Sequence, residues 1–154
     1  MKRIFFTLGM LLMLNSLYAQ QMKQIMLITP DKNRGNSIMK SLDSRRSIRE
    51  YSTKELSLQD LSDLLWAAWG INGTNGKRTV PTASNHKDIK VYACMAGGTY
   101  LYDAVKNILE LIAEGDLRPA LSAEQEFVKD APVVLLIVSD FTQFEGVSEE
   151  YAKV

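Results

Sequence analysis

Cysteine and histidine are nearly absent from this chain of 154 residues, which has one of each. A single cysteine, Cys94, cannot form a disulfide within the chain, and one thiol with one imidazole is too few for a zinc site. Cys94 lies in an apolar, strand-like run, so we expect a buried side chain without a chemical role. His86 has no pattern typical of a catalytic triad, although Asp88 follows two residues later, and we interpret it as a surface residue.

An excess of charge of either sign is also missing, because 18 lysines and arginines balance 18 aspartates and glutamates. This balance gives the chain no long-range attraction for nucleic acid or for an anionic membrane. A glycine-rich nucleotide fingerprint is absent as well, since Gly97 and Gly98 fit a hairpin turn better. We therefore expect neither nucleic-acid binding nor a dinucleotide-binding βαβ unit, and the length after Gln20 fits one domain.

Long apolar runs are confined to two places, of which the first opens the chain. Lys2 and Arg3 precede the apolar stretch Ile4–Leu14, and the small residue Ala19 follows. This layout predicts a bacterial secretory signal peptide over residues 1–19. The run is short for a membrane span, so an uncleaved anchor is the less favoured alternative. We therefore expect an extracytoplasmic protein, periplasmic or secreted, with no membrane span after cleavage.

Helical patterns follow a polar stretch, residues 20–40, that we interpret as a leader or loop. Ile38–Arg45 predicts a short helix whose apolar residues fall on one face. Ser57 is a good N-cap, and apolar residues then recur at helical spacing until Gly70 ends the helix. The segment 71–85 is predicted to be a loop, because two Asn-Gly pairs mark turns within it.

Strand-like patterns dominate the second half of the chain. The predicted elements are a strand at Ile89–Met95, a strand at Thr99–Asp103, an undecided strand or helix at Asn107–Ile112, a helix capped by Ser122, and a strand at Val133–Val138. The last run is apolar throughout, which predicts a strand buried on both faces. Little chain remains to cover it, so either a second subunit completes the core or the chain is shorter than its relatives. The order of elements indicates an α+β fold.

Two polar segments are candidates for binding. Arg45, Arg46 and Ser47 offer guanidinium and hydroxyl donors of the kind that a phosphate prefers, although a solvated surface turn is the alternative. The second segment is the loop Arg78–Asn85, where proline stiffens the chain and short polar side chains could approach a planar polar ring. Its alternative is a plain connection, but loops of this kind often carry function.

Four segments of the chain resemble a known family when they are taken together. They are RRSIREYS, LSLQDLSDLLWAAWGI, GKRTVPTASN and FVKDAPVVLLIVSD. Their order and spacing are similar to the nitroreductases, which are FMN-dependent flavoproteins, and especially to the subgroup related to the azoline-oxidising dehydrogenases. The resemblance runs from about Ser41 to Asp140. It implies a nitroreductase-like mixed sheet flanked by helices over residues 41–154, with no counterpart of the family's C-terminal part.

The resemblance also implies a cofactor, FMN, and a homodimer whose interface forms the site. In the family, an arginine and a serine of the first segment hold the FMN phosphate and ribityl chain, and the proline loop lies against the flavin from the partner subunit. Gln125 is a weaker candidate for reaching the ring. The cofactor-binding residues implied are Arg45, Arg46, Ser47, Pro81, Thr82, Ala83, Asn85 and Gln125.

The function implied is that of an FMN-dependent oxidoreductase. Hydride would pass from NAD(P)H or another donor through the flavin to an electron-poor organic acceptor, such as a nitroaromatic, a quinone, a flavin or an azoline. No catalytic residue and no metal ligand is expected, because the cofactor supplies the chemistry. Two alternatives are a non-catalytic remnant of the nitroreductase fold and a secreted module that binds another anion through Arg45 and Arg46.

Overall fold

The computed structural model describes residues 23–144, so the predicted signal peptide lies outside them. The helices are α1 (Ile38–Ser44), α2 (Leu58–Trp69) and α3 (Arg118–Leu121). The strands are β1 (Gln24–Met26), β2 (Ile71–Asn72), β3 (Lys77–Arg78), β4 (Ile89–Met95), β5 (Gly98–Asp103), β6 (Ile108–Glu114) and β7 (Val134–Ser139). Five strands form one sheet in the order β1-β6-β5-β4-β7, and β2 pairs with β3.

The predicted α+β class is confirmed. All four pairings of the five-stranded sheet are antiparallel, where a mixed sheet was expected. Short connections explain this pattern, because strands β4, β5 and β6 follow each other through tight turns that leave no room for a crossover helix. The undecided segment at Asn107–Ile112 is therefore a strand, and its Leu109 is fully buried in the middle of the sheet.

Helix α2 begins and ends where the sequence predicted. The Ser57 side chain accepts a hydrogen bond from the Asp60 backbone N–H at 3.1 Å, and the Gly70 N–H donates to the Trp66 carbonyl at 2.7 Å. The apolar face of α2 packs on the sheet, which places the core between them. The buried core residues are Leu27, Leu61, Leu65, Trp69, Val91, Ala93, Tyr100, Tyr102 and Leu109.

The stretch of residues 20–40, which was predicted as a leader or loop, contains strand β1. Strand β1 pairs with β6 through the register Gln24↔Glu110 and Met26↔Ile108. This prediction missed the strand because three residues are too few to show a period of two. The predicted loop at 71–85 likewise contains the β2–β3 hairpin and a turn of 3₁₀ helix at Ala83–Asn85.

The prediction that Ser122 caps a helix is wrong. Ser122 instead follows helix α3, and its hydroxyl donates to the Pro119 carbonyl at 2.7 Å. The Gln125 N–H then bonds to the Ser122 carbonyl at 2.7 Å, and Gln125 leaves the helical region with ψ 78°. Glu126–Asp130 is therefore a short 3₁₀ turn, since the chain turns too tightly here for an α-helix.

The apolar strand β7 is not buried on both faces, which corrects the sequence-based prediction. It lies at the edge of the sheet, pairs only with β4 among residues 23–144, and leaves Ile137 59% exposed. Helix α1 is similar, because none of its residues is buried and Ile38 is 74% exposed. The apolar composition of β7 thus does not reflect burial by the described residues.

No helix within residues 23–144 combines the length and the apolar character needed to cross a membrane.

Candidate functional site

The arginine pair lies where α1 ends. The Arg45 backbone N–H donates to the Leu42 carbonyl at 3.4 Å, while the Arg46 Nη1 donates to the carbonyls of Asp43 at 3.0 Å and Arg45 at 2.8 Å. Arg45, Arg46 and Ser47 are all exposed. Arg46 thus wraps back on its own turn with part of its guanidinium still free to donate.

The charges of the arginine pair are not neutralised within the described part of the chain. Neither guanidinium forms an ion pair with a carboxylate of residues 23–144. Arg34 shows the contrast, since its two terminal nitrogens lie 2.5 Å from Asp60 and 2.8 Å from Asp63. The Arg45–Arg46 pair is therefore available to an anion from outside this segment.

A cation–π contact joins the turn after Gln125 to Arg49, four residues after Arg45. The Arg49 guanidinium carbon lies 5.5 Å from the centroid of the Phe127 ring, a distance at which the cation is attracted to the ring face. Phe127 belongs to the 3₁₀ turn that begins just after Gln125, and the Gln125 side chain is exposed. The structure therefore sets the turn after Gln125 beside the segment that carries Arg45 and Arg46.

A cleft of about 420 Å³ continues from this segment. It lies between Ser52–Leu56, the β4–β5 turn and the start of β7. Its cation Arg118 is already used, because Nη2 lies 2.7 Å from Asp116 and Nη1 donates to the Ala131 carbonyl at 2.6 Å. The hydrogen bond from Arg118 lowers the pKa of Asp116 below its ordinary value. This cleft offers mostly apolar surface, and Lys54 is its one cation without an ion pair within residues 23–144.

The proline loop is held by hydrogen bonds to Thr82. The Asn85 N–H donates to the Thr82 carbonyl at 3.1 Å, and the Lys87 N–H donates to the Thr82 hydroxyl at 2.9 Å. Ser84, Asn85 and Lys87 have φ values of 47°, 59° and 55°, in the left-handed region that residues with side chains seldom adopt. Such strained backbone is found preferentially at functional sites.

This loop forms one wall of a second cleft, the cationic cleft, with a volume of about 380 Å³. Three predicted site residues, Pro81, Thr82 and Asn85, line it, and Ala83 begins the turn between them. Its full lining is Asn75, Gly76, Lys77, Arg78, Val80, Pro81, Thr82, Asn85 and Lys87. Among these described residues three are cationic and none is acidic, so the cleft favours an anionic ligand.

Arg78 ties the cationic cleft to helix α2. Its guanidinium carbon lies 4.9 Å from the centroid of the Trp69 ring, and its Nη1 donates to the Trp69 carbonyl at 3.1 Å. Its Nε is buried and has no partner among the described residues. An unpaired buried donor is rare in a native protein and is explained when an ion or ligand completes the site.

The two predicted halves of the site do not line the same cleft within residues 23–144. Pro81, Thr82 and Asn85 share the cationic cleft, and the segment Arg45–Ser47 contributes no residue to it. The resemblance implied this arrangement, since it assigned the two halves to different subunits.

The single histidine is placed differently from the prediction of a surface residue. His86 is half-buried, its Nδ1 lies 3.1 Å from the Gln143 carbonyl oxygen, and its ring is 4.6 Å from that of Phe144. Asp88 is buried and accepts a hydrogen bond from the Ser139 hydroxyl at 2.5 Å. The two side chains thus have separate partners. Cys94 is buried, as predicted.

Sequence reasoning missed that Lys77, Arg78 and Lys87 line one cleft. Arg78 and Lys87 are nine positions apart in the sequence, and a linear pattern gives no reason to group them. The grouping arises because the β2–β3 hairpin turns at Gly73 and Gly76, both at positive φ, and because the loop reverses again at Ser84 and Asn85. The two Asn-Gly pairs were the available signal for the first of these turns.

Comparison with known proteins agrees with this fold. The profile of the nitroreductase family matches residues 42–153. A nitroreductase homologue from Methanocaldococcus jannaschii is 32% identical over 109 residues, which cover 65% of this chain and 55% of that protein. A nitroreductase-family crystal structure from Ralstonia eutropha superposes with a TM-score of 0.76 and 36% identity, covering 84% of this chain and 62% of the other.

The fold and the family profile together define an α+β protein with the nitroreductase fold. The chain belongs to the nitroreductase family. It spans between about half and two thirds of the length of the two relatives it matches.

Proposed function

We propose that this protein is an FMN-dependent oxidoreductase that passes hydride from a reduced nicotinamide, or another donor, to an electron-poor organic acceptor. The observation that supports the proposal most strongly is the cationic cleft. It combines the proline loop of the family with three cations and no acidic residue among its described lining. A site of this charge suits a cofactor that becomes more negative when it is reduced.

The phosphate end of FMN would be held by the arginine pair. Arg45 and Arg46 are exposed and have no ion pair within residues 23–144, and Ser47 adds a hydroxyl donor beside them. Guanidinium groups bind phosphate oxygens in pairs, which gives both charge and orientation. The residue types and their exposure therefore fit the phosphate of FMN.

The ring would lie against the proline loop. Pro81, Thr82 and Asn85 line the cationic cleft, and Ala83 leads the turn between them. Thr82 already fixes the loop through its carbonyl and its hydroxyl, so the loop is set before a ligand arrives. FMN, when bound, supplies the centre that accepts and donates hydride, and the residues of the chain position it. Gln125 is the remaining candidate contact.

A homodimer would bring the two halves of the site together. The arginine pair does not line the cleft of the proline loop, which supports a site in which each chain holds one end of the cofactor. The exposed apolar side chains of α1 and β7 provide surface for such an association, because patches of this kind mark protein contacts. The predicted signal peptide would place this dimer outside the cytoplasm, with an electron donor available there.

The test uses the chain from Gln20 onward, saturated with FMN and passed through gel filtration to remove unbound cofactor. Visible absorbance of flavin that elutes with the protein at the volume of a dimer is the expected result. The acceptor range is then measured with nitroaromatics and quinones against NADH, NADPH and dithionite as donors. Colourless protein at any volume would contradict the proposal.

The same elution distinguishes a second candidate, a secreted module that binds another anion. The cationic cleft favours this candidate too, since its charge does not require a flavin. Colourless, soluble protein that binds pyrophosphate in calorimetry would support the anion-binding module. Colourless, aggregated protein that binds neither would support a non-catalytic remnant of the fold.

A further inference from the structure

We propose that the cationic cleft binds the acidic group of the electron acceptor, so that the preferred acceptors carry a carboxylate or phosphate next to the group that is reduced. This inference rests on the proposed function, because it assigns the cleft to the substrate of the flavin reaction. Its basis is the set of cations Lys77, Arg78 and Lys87, all in one cleft of about 380 Å³.

The three cations exceed the single negative charge that a reduced flavin ring would bring to this cleft. The proposed seat of the FMN phosphate is the Arg45–Arg46 pair, and no residue of that pair lines the cationic cleft. Arg78 and Lys87 also line a neighbouring cleft with carboxylates, whereas the side of the proline loop has none among its described lining. No carboxylate of residues 23–144 forms an ion pair with Lys77, Arg78 or Lys87.

The unpaired Nε of Arg78 points to a ligand independently of the count of charges. This atom is buried and lacks a partner among the described residues, although Nη1 of the same group is satisfied by the Trp69 carbonyl. A guanidinium fixed at one end by Trp69 and unsatisfied at the other is suited to receive an oxygen acceptor. Because Nε is covered by the surrounding residues, a carboxylate or phosphate oxygen in the cleft would reach it through a small shift of the loop on binding.

The volume of the cleft limits the size of the ligand. About 380 Å³ is near the lower end of the range for small-molecule sites. A single substituted ring fits such a space, whereas a whole nicotinamide dinucleotide does not. The acidic group is therefore assigned to a small acceptor lying on the flavin ring, in the part of the cleft that the ring leaves open, and not to the pyrophosphate of the donor.

The test compares two probes that share a nitrated ring and differ in charge. These are 4-nitrobenzoate and the neutral 4-nitrobenzyl alcohol, titrated by calorimetry into the full mature chain with and without FMN. We expect 4-nitrobenzoate to bind about tenfold more tightly, which corresponds to one charge-assisted hydrogen bond. The preference should shrink as sodium chloride is raised, because salt screens exposed charges.

Two substitutions assign this preference to the cleft. Lys77→Gln together with Lys87→Gln removes two charges, and the side chains of similar length leave the backbone contact from Lys87 to Thr82 in place. The matched control is Lys129→Gln, which removes a lysine that is paired with Glu126 and does not line the cleft. Arg78 is left unchanged, since its loss would also remove the contact with Trp69.

The expected result is loss of the preference in the double variant and its retention in the control, with unchanged melting temperatures. Equal binding of the two probes, binding of neither, or a preference that survives in the double variant would overturn the inference. Colourless protein that still prefers 4-nitrobenzoate through Lys77 and Lys87 would overturn the flavin enzyme and support the anion site. Protein that carries flavin but shows no preference for 4-nitrobenzoate would support the flavin enzyme and overturn the anion site.

Discussion

Arg78 stacks on Trp69 and also donates a hydrogen bond to its backbone, with the guanidinium carbon 4.9 Å from the indole centroid and Nη1 3.1 Å from the carbonyl oxygen. Trp69 is the last residue of helix α2 and belongs to the core, while Arg78 ends the β2–β3 hairpin. This pair joins the hydrophobic core to one wall of the cationic cleft. The position of the cleft thus depends on the packing of α2.

Replacing Arg78 with lysine should destabilise the protein by about 1–2 kcal/mol. Lysine keeps the charge but loses the planar stack on Trp69 and the fixed geometry of the hydrogen bond to its carbonyl. Urea unfolding followed by tryptophan fluorescence measures the change in the free energy of unfolding. The control is Lys77→Arg in the neighbouring position, which should leave the midpoint unchanged. Equal midpoints for Arg78→Lys and wild type would show that the stack contributes nothing.

Replacing Gly70 with alanine should destabilise the end of α2 by about 1–3 kcal/mol. A Cβ at this position would lie 2.5 Å from the Trp66 carbonyl oxygen, and backbone must move to relieve that overlap. The matched control is Gly97→Ala, where the nearest atom is the Tyr100 hydroxyl at 3.8 Å. Thermal melts of both variants make the comparison. A smaller loss for Gly70→Ala than for Gly97→Ala would refute the steric argument.

The elements that sequence reasoning located well carry their own local signals. Helix α2 has a capping serine at its start, apolar residues at helical spacing, and a glycine at its end. The β4–β5 hairpin has the Gly97-Gly98 turn between two strand-like runs. These signals act over a few residues, so the sequence shows them directly.

The elements that sequence reasoning located poorly depend on contacts between residues that are distant along the chain. Strand β1 exists because Gln24–Met26 pairs with residues more than 80 positions later. The apolar run of β7 predicted burial on both faces, but burial requires neighbours, and this strand has only β4 beside it within residues 23–144. Apolar composition shows what a strand can bury and does not show what covers it.

The candidate site likewise has a part that the sequence predicted and a part that it did not. Pro81, Thr82 and Asn85 were predicted from a resemblance in sequence, and the structure brings them to one cleft. The cations Lys77 and Lys87 join that cleft only because the hairpin and the loop both reverse direction. In the proposed homodimer, Arg45–Ser47 of one chain and this loop of the other would hold one cofactor, and that arrangement depends on how two chains associate.

Replacing Arg45 with alanine should weaken FMN binding by about tenfold to a hundredfold. The substitution removes one of the exposed guanidinium groups assigned to the phosphate, and such charge-assisted hydrogen bonds contribute this much to affinity. Quenching of flavin fluorescence during titration measures the dissociation constant. The control is Lys40→Ala, which removes one positive charge from α1 without touching the proposed phosphate seat. Equal losses in the two variants would indicate a general effect of charge, and no loss for Arg45→Ala would remove this residue from the site.

The stability of the sheet edge should depend on the ionisation of Asp140, which immediately follows β7. Its carboxylate lies 2.7 Å from the Lys90 ammonium and accepts hydrogen bonds from Thr142, and the bond from Lys90 is the main reason that its pKa falls from 3.8 to about 2. A carboxylate whose pKa is depressed in the folded state stabilises it above the unfolded pKa. That contribution is lost as the pH falls from about 4 to about 2.

Asp140→Asn should therefore be less stable than wild type near neutral pH, and the difference should narrow as the pH approaches 2. Urea midpoints measured at intervals from pH 7 to pH 2.5 follow this convergence. The other carboxylates titrate in both proteins, so their effect cancels in the difference between the two midpoints. The control is Asp43→Asn, because the Asp43 carboxylate has no ion pair within residues 23–144 and its removal should leave the curve parallel to wild type. A difference for Asp140→Asn that stays constant across this range would show that the Lys90 bond does not stabilise the edge through the charge of Asp140.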